Sequence, residues 1–261
     1  MNQSGIEWIL NDDGSKGYTC NPVIGCDEHS AGCRNCWAKH LVATRMIRNP
    51  SLPMYHDLAR VTEGGTSQWT GIVKLVPERL REIVALGNRA QGTRVFLCDM
   101  SDMFHEDVPF EFIAAILGAT ACAQSSLFYL LTKRADRAVE FNRWFQGAEH
   151  AAMCLSRYWP SMIRPAVFER VKRATIGANI AFGVTCEDKK SGVPRLRLGR
   201  LFAARWHWVS VEPLLEDLGA DVDFDGYDLV VCGGESGDGS RPFNAEWADN
   251  IKSASKKANA Q

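Results

Sequence analysis

An α/β protein with a parallel sheet, arranged as a partial (β/α)6 barrel of the TIM type, is the architecture this sequence predicts. Three observations predict it. Short apolar and β-branched runs recur along the chain, stretches of helical periodicity separate them, and each run ends in charged or hydroxyl residues. A strand that is apolar at every position is buried on both faces, as happens when helices cover both sides of a parallel sheet. Polar groups at the carboxyl ends of such strands are where barrels of this kind build their sites.

The segment 17–25 reads as a short first strand that ends at Asn21-Pro22. A loop carrying Cys26, Cys33 and Cys36 follows it, and a helix begins at Trp37. Helical periodicity over 77–86 leads to a buried strand at Arg94-Val95-Phe96-Leu97-Cys98. A helix over 110–123 precedes the strand Leu127-Phe128-Tyr129-Leu130-Leu131, and a helix over 135–145 follows it. Residues 147–173 read as an insertion placed to act as a substrate lid. Strands at 180–184, 206–211 and 228–232 complete the set. Residues 248–261 read as a polar tail, where a further strand would be needed to close the barrel. All of 1–261 is expected to form one domain.

Hydrophobic content of 46% is enough for a sizeable core, and no apolar run approaches the length of a bilayer span. Residues 1–13 are polar and acidic and lack the features of a secretory signal. Nine cysteines without regular spacing argue against a disulfide scaffold and for a reducing cytoplasm. A net charge of −1 gives no global attraction to nucleic acid or anionic membrane, so such a role needs a local patch. Basic residues gather at 157–173 and at Arg195, Arg197, Arg200 and Arg205, as a phosphate-binding surface or as solvated helix faces.

The cysteine spacing is C-x6-C-x2-C. Three thiolates make a soft anionic pocket suited to iron–sulfur or zinc rather than magnesium or calcium. A closed structural zinc site uses four protein ligands, whereas three cysteines leave a position open for a small molecule. Gly25 and Gly32 let the backbone turn tightly around an inorganic centre. The competing reading is a zinc knuckle with Cys20, His29 or His40 as the fourth ligand. The strand ends add Ser101 and Asp102, Lys133, Glu187, Glu212, and the run Gly233-Gly234-Glu235. That last run lacks the lysine of a P-loop and the spacing of a dinucleotide fingerprint, and reads as a cofactor or substrate loop. His105 and Glu106 read as helix-start residues, and Met100 and Met103 as packing.

Three cysteines after the first strand of a barrel, with an aromatic beside the last, resemble the radical S-adenosylmethionine superfamily, although the first gap is longer than usual there. The whole chain resembles a phage-associated three-cysteine family of uncharacterised proteins. The matching runs include Asn21-Pro22-Val23, Gly32-Cys33, Cys36-Trp37-Ala38 and Met100-Ser101-Asp102-Met103-Phe104-His105-Glu106-Asp107. They continue with Leu131-Thr132-Lys133-Arg134, Val211-Glu212-Pro213 and Gly233-Gly234-Glu235-Ser236-Gly237. Trp37 stands where that family more often has tyrosine. The strand-end motifs are also distantly similar to those of spore photoproduct lyase-like enzymes.

The resemblance implies that Cys26, Cys33 and Cys36 ligate a [4Fe-4S] cluster whose fourth iron binds S-adenosylmethionine, cleaved to a 5′-deoxyadenosyl radical that takes hydrogen from a substrate. It implies that Ser101 and Asp102 bind the cofactor's amino group or ribose, and that Lys133 pairs with its carboxylate. Glu187 and Glu212 would contact ribose or substrate, and Gly233, Gly234 and Glu235 adenine or substrate. It further implies an electron donor such as flavodoxin or ferredoxin, and a nucleic acid or nucleotide substrate. The alternative is a non-catalytic zinc-binding phage or mobile-element protein that binds DNA or a partner protein.

Overall fold

The computed structural model describes residues 1–88, 92–159, 164–237 and 239–261. The chain opens with β1 (Asn2–Gln3), β2 (Tyr18–Cys20) and β3 (Val23–Ile24). The cysteine loop then runs into α1 (Trp37–Thr44). A small ribbon region holds β4 (Ala59–Val61), β5 (Ser67–Trp69) and β6 (Lys74–Leu75). From there strands and helices alternate: α2 (Glu78–Ala85), β7 (Arg94–Leu97), α3 (Phe110–Ala121), β8 (Leu127–Thr132) and α4 (Ala135–Trp144). Two helices, α5 (Ala148–Tyr158) and α6 (Pro165–Lys172), precede β9 (Ile180–Thr185). Then come α7 (Gly192–Gly199), β10 (Trp206–Val211), β11 (Leu229–Cys232) and α8 (Ala245–Lys257).

The central sheet has the order β1-β2-β7-β8-β9-β10-β11. Only the β1–β2 pair is antiparallel; the six strands from β2 to β11 are parallel and lie in chain order. The sheet is not closed, since β1 and β11 are its two edges. Residues read as a polar tail instead form most of α8, because Ile251, Ala254 and Ser255 give it a buried face and the Asn244 side chain caps its first turn. The backbone of Gln261 bonds to Val230 and Asp228 at the β11 edge.

Within 147–173, α5 packs against the outer helix α3. Gly118 of α3 packs directly on Ala151 of α5, and Phe112 meets Tyr158 with ring centroids 4.7 Å apart. Arg170 and Arg173 stand beside Cys122 and Gln124, where α3 leads into the start of β8, the end of the sheet opposite the cysteine loop. Residues 160–163 of that segment lie outside the described residues. Among the described residues, no helix is long and apolar enough to cross a membrane.

The two faces of the sheet are packed differently. The outer face carries the main core, where Phe104 contacts the rings of Phe141, Phe182 and Phe202 edge-on and α3 is buried nearly throughout. The inner face is lined by Phe96, Tyr129, Ala181 and Trp208, and Ile9 and Trp8 of the N-terminal segment cover it. Register pairs Leu131 with Gly183, Gly183 with Trp208 and Trp208 with Leu229. The next row pairs Thr185 with Ser210 and Ser210 with Val231. Two residues further along each strand come Lys133, Glu187, Glu212 and Gly233, so period-two alternation carries the inner face to the strand-end polar groups.

Gly183 makes room for the Trp208 indole, whose Nε1 donates to the carbonyls of Leu130 and Ala181. A Cβ at Gly183 would fall within 2.7 Å of Trp208 Cδ2 and closer still to its ring nitrogen. Gly183→Ala should therefore cost about 1–3 kcal/mol through overpacking. Differential scanning calorimetry should show a melting temperature several degrees lower; an unchanged one would refute this packing.

Candidate metal centre

The cysteine loop begins where β2 and β7 are tied together. Asn21 Nδ2 donates to Asp99 Oδ1 at 2.6 Å, and its Oδ1 accepts from the Met100 amide at 3.1 Å. The chain then bonds across to the β7 end: the Gly25 amide donates to Met100 O, and Ser101 Oγ donates to Val23 O at 2.8 Å. Gly25 has φ +86°, and a Cβ there would collide with the Ile72 carbonyl, so only glycine fits the residue before Cys26.

The loop is pinned at its middle and far end. Lys39, buried on α1, donates to the carbonyls of Cys33 and Arg34 at 3.0 and 3.1 Å and pairs with Glu28. Ser30 Oγ donates to Glu187, and Glu187 Oε2 accepts from Arg195 Nη1 at 2.6 Å. Gly32 lies against the same carboxyl group; a Cβ there would sit 3.2 Å from Glu187 Oε1. Asn35 Nδ2 donates to Glu235 Oε2 at 2.8 Å. Glu235 also pairs with Arg241, whose Nη2 donates to Ala31 O at 2.9 Å. Asp27 pairs with Arg134. The loop is thus bound to the carboxyl ends of β2, β7, β8, β9 and β11.

Arg134 is the electrostatic centre. Only 2% exposed, it lies among Asp27, Asp102 and Glu106, with Nη1 4.0 Å from Cys26 Sγ. Burial works against its charge, yet Asp102, Cys26, Asp27 and Glu106 together hold its pKa above the ordinary value. Asp27, His105 and Glu106 bring ligand atoms within 4.8 Å of one another. Arg134 already supplies the cation for both of those carboxylates. His105 Nδ1 accepts from the Asp107 amide, and its Nε2 lies 3.3 Å from Asp27, off the line of a hydrogen bond.

The three thiols act on one another. Burial first, then Asp102, Cys33 and Cys36, push the Cys26 thiol up to about 12, while Arg134 opposes them. Burial also raises Cys36, against the pull of neighbouring amides and the Lys133 ammonium. Burial thus favours the neutral thiol at Cys26 and Cys36, and a bound cation would favour their thiolates. Three buried or half-buried thiols on one loop are a soft donor set that suits an iron–sulfur cluster or a zinc ion. Two of the three candidate fourth zinc ligands are engaged elsewhere: Cys20 lies in the main core facing Arg79 O, and His40 Nδ1 is 3.3 Å from Ser67 Oγ. His29 stays beside the loop, its amide 3.5 Å from Cys33 Sγ.

The strand-end residues divide into two groups. Ser101, Asp102, Glu187 and Glu235 are taken up by protein partners. Asp102 alone accepts from Thr132 Oγ1 and the amides of Phe104 and Lys133, and lies 3.3 Å from Arg134 Nη1. Gly233 uses both its amide and its carbonyl in backbone bonds, and a Cβ there would come within 2.8 Å of Glu212 Oε1. Gly234 lies against the Phe243 ring. Lys133 and Glu212 remain available. The Lys133 ammonium makes no hydrogen bond or ion pair among the described residues, and Glu212 has only Ser210 Oγ at 3.4 Å. Burial raises the Glu212 pKa above its ordinary value. Arg195, counted in the sequence as part of a basic surface, is instead buried against Glu187. Sequence reasoning missed Asp27, Lys39, Arg134 and Arg241 as parts of this centre. An arginine two residues beyond an apolar strand, next to Lys133, was the available signal.

Glu235 makes the loop clamp sensitive to acid. Hydrogen bonds from Arg241 first, and then from Asn35, lower its pKa to about 2 from 4.5. A depressed folded pKa contributes stability above 4.5 that is lost as the pH falls towards 2. Urea midpoints of wild type and Glu235→Gln should accordingly differ at pH 6 and converge across that window. A gap independent of pH would rule out this role.

These features define a class: an open parallel α/β protein whose strand carboxyl ends hold a three-cysteine loop. The chain belongs to the family described as "Protein of unknown function (DUF5131)", which it matches over residues 3–261. No curated protein and no solved structure matches the chain.

Proposed function

We propose that this protein is a radical S-adenosylmethionine enzyme of the cytoplasm, built on a partial (β/α)6 barrel and holding a [4Fe-4S] cluster on Cys26, Cys33 and Cys36. The observation that carries this reading is the position of the loop. It lies across the carboxyl ends of the parallel strands, with the unpaired Lys133 ammonium close enough to lower the Cys36 pKa. A cluster held by Cys26, Cys33 and Cys36 would supply the one-electron chemistry that cleaves the sulfonium carbon–sulfur bond of S-adenosylmethionine.

The chain's own groups have separate tasks. Lys133 holds the cofactor's carboxylate. Glu212, whose pKa burial raises, takes hydrogen bonds from ribose or substrate hydroxyls. Asp102, Glu187 and Glu235 position the loop and its neighbours rather than touch the cofactor. Arg134 offsets the negative charge of the thiolates. Trp8, packed on Phe96, Tyr129 and Trp208, closes the far end of the inner face against water. The reductant is a protein such as flavodoxin or ferredoxin, and the substrate is a nucleic acid or nucleotide.

The test is anaerobic purification and reconstitution with iron and sulfide, followed by dithionite and S-adenosylmethionine. A brown protein that releases 5′-deoxyadenosine supports the reading. A colourless protein with stoichiometric zinc and no deoxyadenosine overturns it in favour of a zinc-binding module.

A further inference from the structure

Between His29 and His56 the chain contains no aspartate or glutamate, yet it carries Arg34, Lys39, Arg45 and Arg48. Lys39 is buried and spent on Glu28 and two carbonyls. The three arginines are exposed, and none of their guanidiniums makes a hydrogen bond or ion pair among the described residues. All three border α1, the helix that begins directly after Cys36. Ala38, Val42 and Ala43 bury one side of α1. Trp37, Leu41 and Thr44 follow one another up the opposite side, and Trp37 is 46% exposed. Arg34 stands before the helix, and Arg45 and Arg48 stand after it.

We infer that this face binds single-stranded nucleic acid and leads a nucleotide towards the strand ends. The eight residues of α1 span about 12 Å at a helical rise of 1.5 Å per residue, with Arg34 before them and Arg45 and Arg48 after, room for two or three successive phosphates. Unpaired guanidiniums at both ends of α1 suit a phosphate backbone, and the exposed Trp37 indole at its first turn offers a platform on which a base stacks. The net charge of −1 makes this local surplus the attracting feature. The binding does not depend on the cluster. Only its role in delivering substrate rests on the function proposed above.

The test is fluorescence anisotropy with a labelled oligothymidylate, on the protein as purified and after reconstitution. Three phosphate contacts should give a slope of log K against log salt of about −2. Arg45→Ala should weaken binding and flatten that slope by about 0.7. Trp37→Ala should weaken it about tenfold or more, with unchanged far-ultraviolet circular dichroism. Absence of binding at low salt, equal binding by an Arg34→Ala, Arg45→Ala, Arg48→Ala triple variant, or a preference for duplex overturns the proposal. So does a stripe that binds an acidic flavodoxin and not the oligonucleotide. Binding without deoxyadenosine formation would sink the radical reading alone; deoxyadenosine formation without binding would sink only the present inference.

Discussion

Cys33→Ala is expected to retain neither iron nor sulfide after reconstitution, and to reduce 5′-deoxyadenosine formation to background, while the protein stays folded. The first half follows from the donor set, since two thiolates cannot hold a cluster built for three. The second half follows from how the loop is held. Cys33 contributes a backbone carbonyl to Lys39 and an amide to Ser30 O, and neither depends on its sulfur. The pins are the side chains of Lys39, Ser30, Asn35 and Arg241. Losing one largely buried thiol costs about 1 kcal/mol. Iron and sulfide assays beside a thermal melt separate the two effects. A collapse of the melting temperature together with the metal would mean that the centre is structural, as in zinc-folded domains.

Arg134→Met should give the largest loss of stability. The guanidinium is buried, and its removal leaves three carboxylates facing a thiol without a cation. Breaking a buried pair by removing one partner costs about 3–5 kcal/mol. Asp27 and Glu106 reach solvent and can rehydrate, whereas the Asp102 side chain is only 8% exposed, so the low end, about 3 kcal/mol, is expected. For a chain of this size that lowers the melting temperature by about 6–12 °C. Adding Asp102→Asn should recover part of the loss, because the charge left unpaired is then gone. A single variant that melts with wild type, or a double variant no better than the single, would show that Arg134 does not neutralise the site.

The strands were legible because a parallel sheet covered on both faces demands unbroken apolar runs, and the runs at 94–98, 127–131, 180–184 and 206–211 form β7 to β10. The loop's place at the carboxyl end of the first parallel strand was legible for the same reason. The use of each polar strand end was not. Ser101 and Asp102 look in sequence like cofactor ligands, yet their oxygens are engaged by Val23, Thr132 and nearby amides. Arg195 looks like a surface cation, and Glu187 buries it.

Local pattern alone determined that strands and helices alternate, that the sheet is parallel, and that three thiols share one loop at its carboxyl end. Hydrophobic periodicity and residue type suffice for that, since both act over a few neighbouring residues. Tertiary structure decided that the sheet stays open, that 148–158 joins the outer helical layer, and that Arg134 rather than Lys133 sits at the centre of charge. Those outcomes depend on which groups meet across more than a hundred residues of chain, as Arg134 meets Cys26 and Asp27, and burial sets their partners only once the chain is packed.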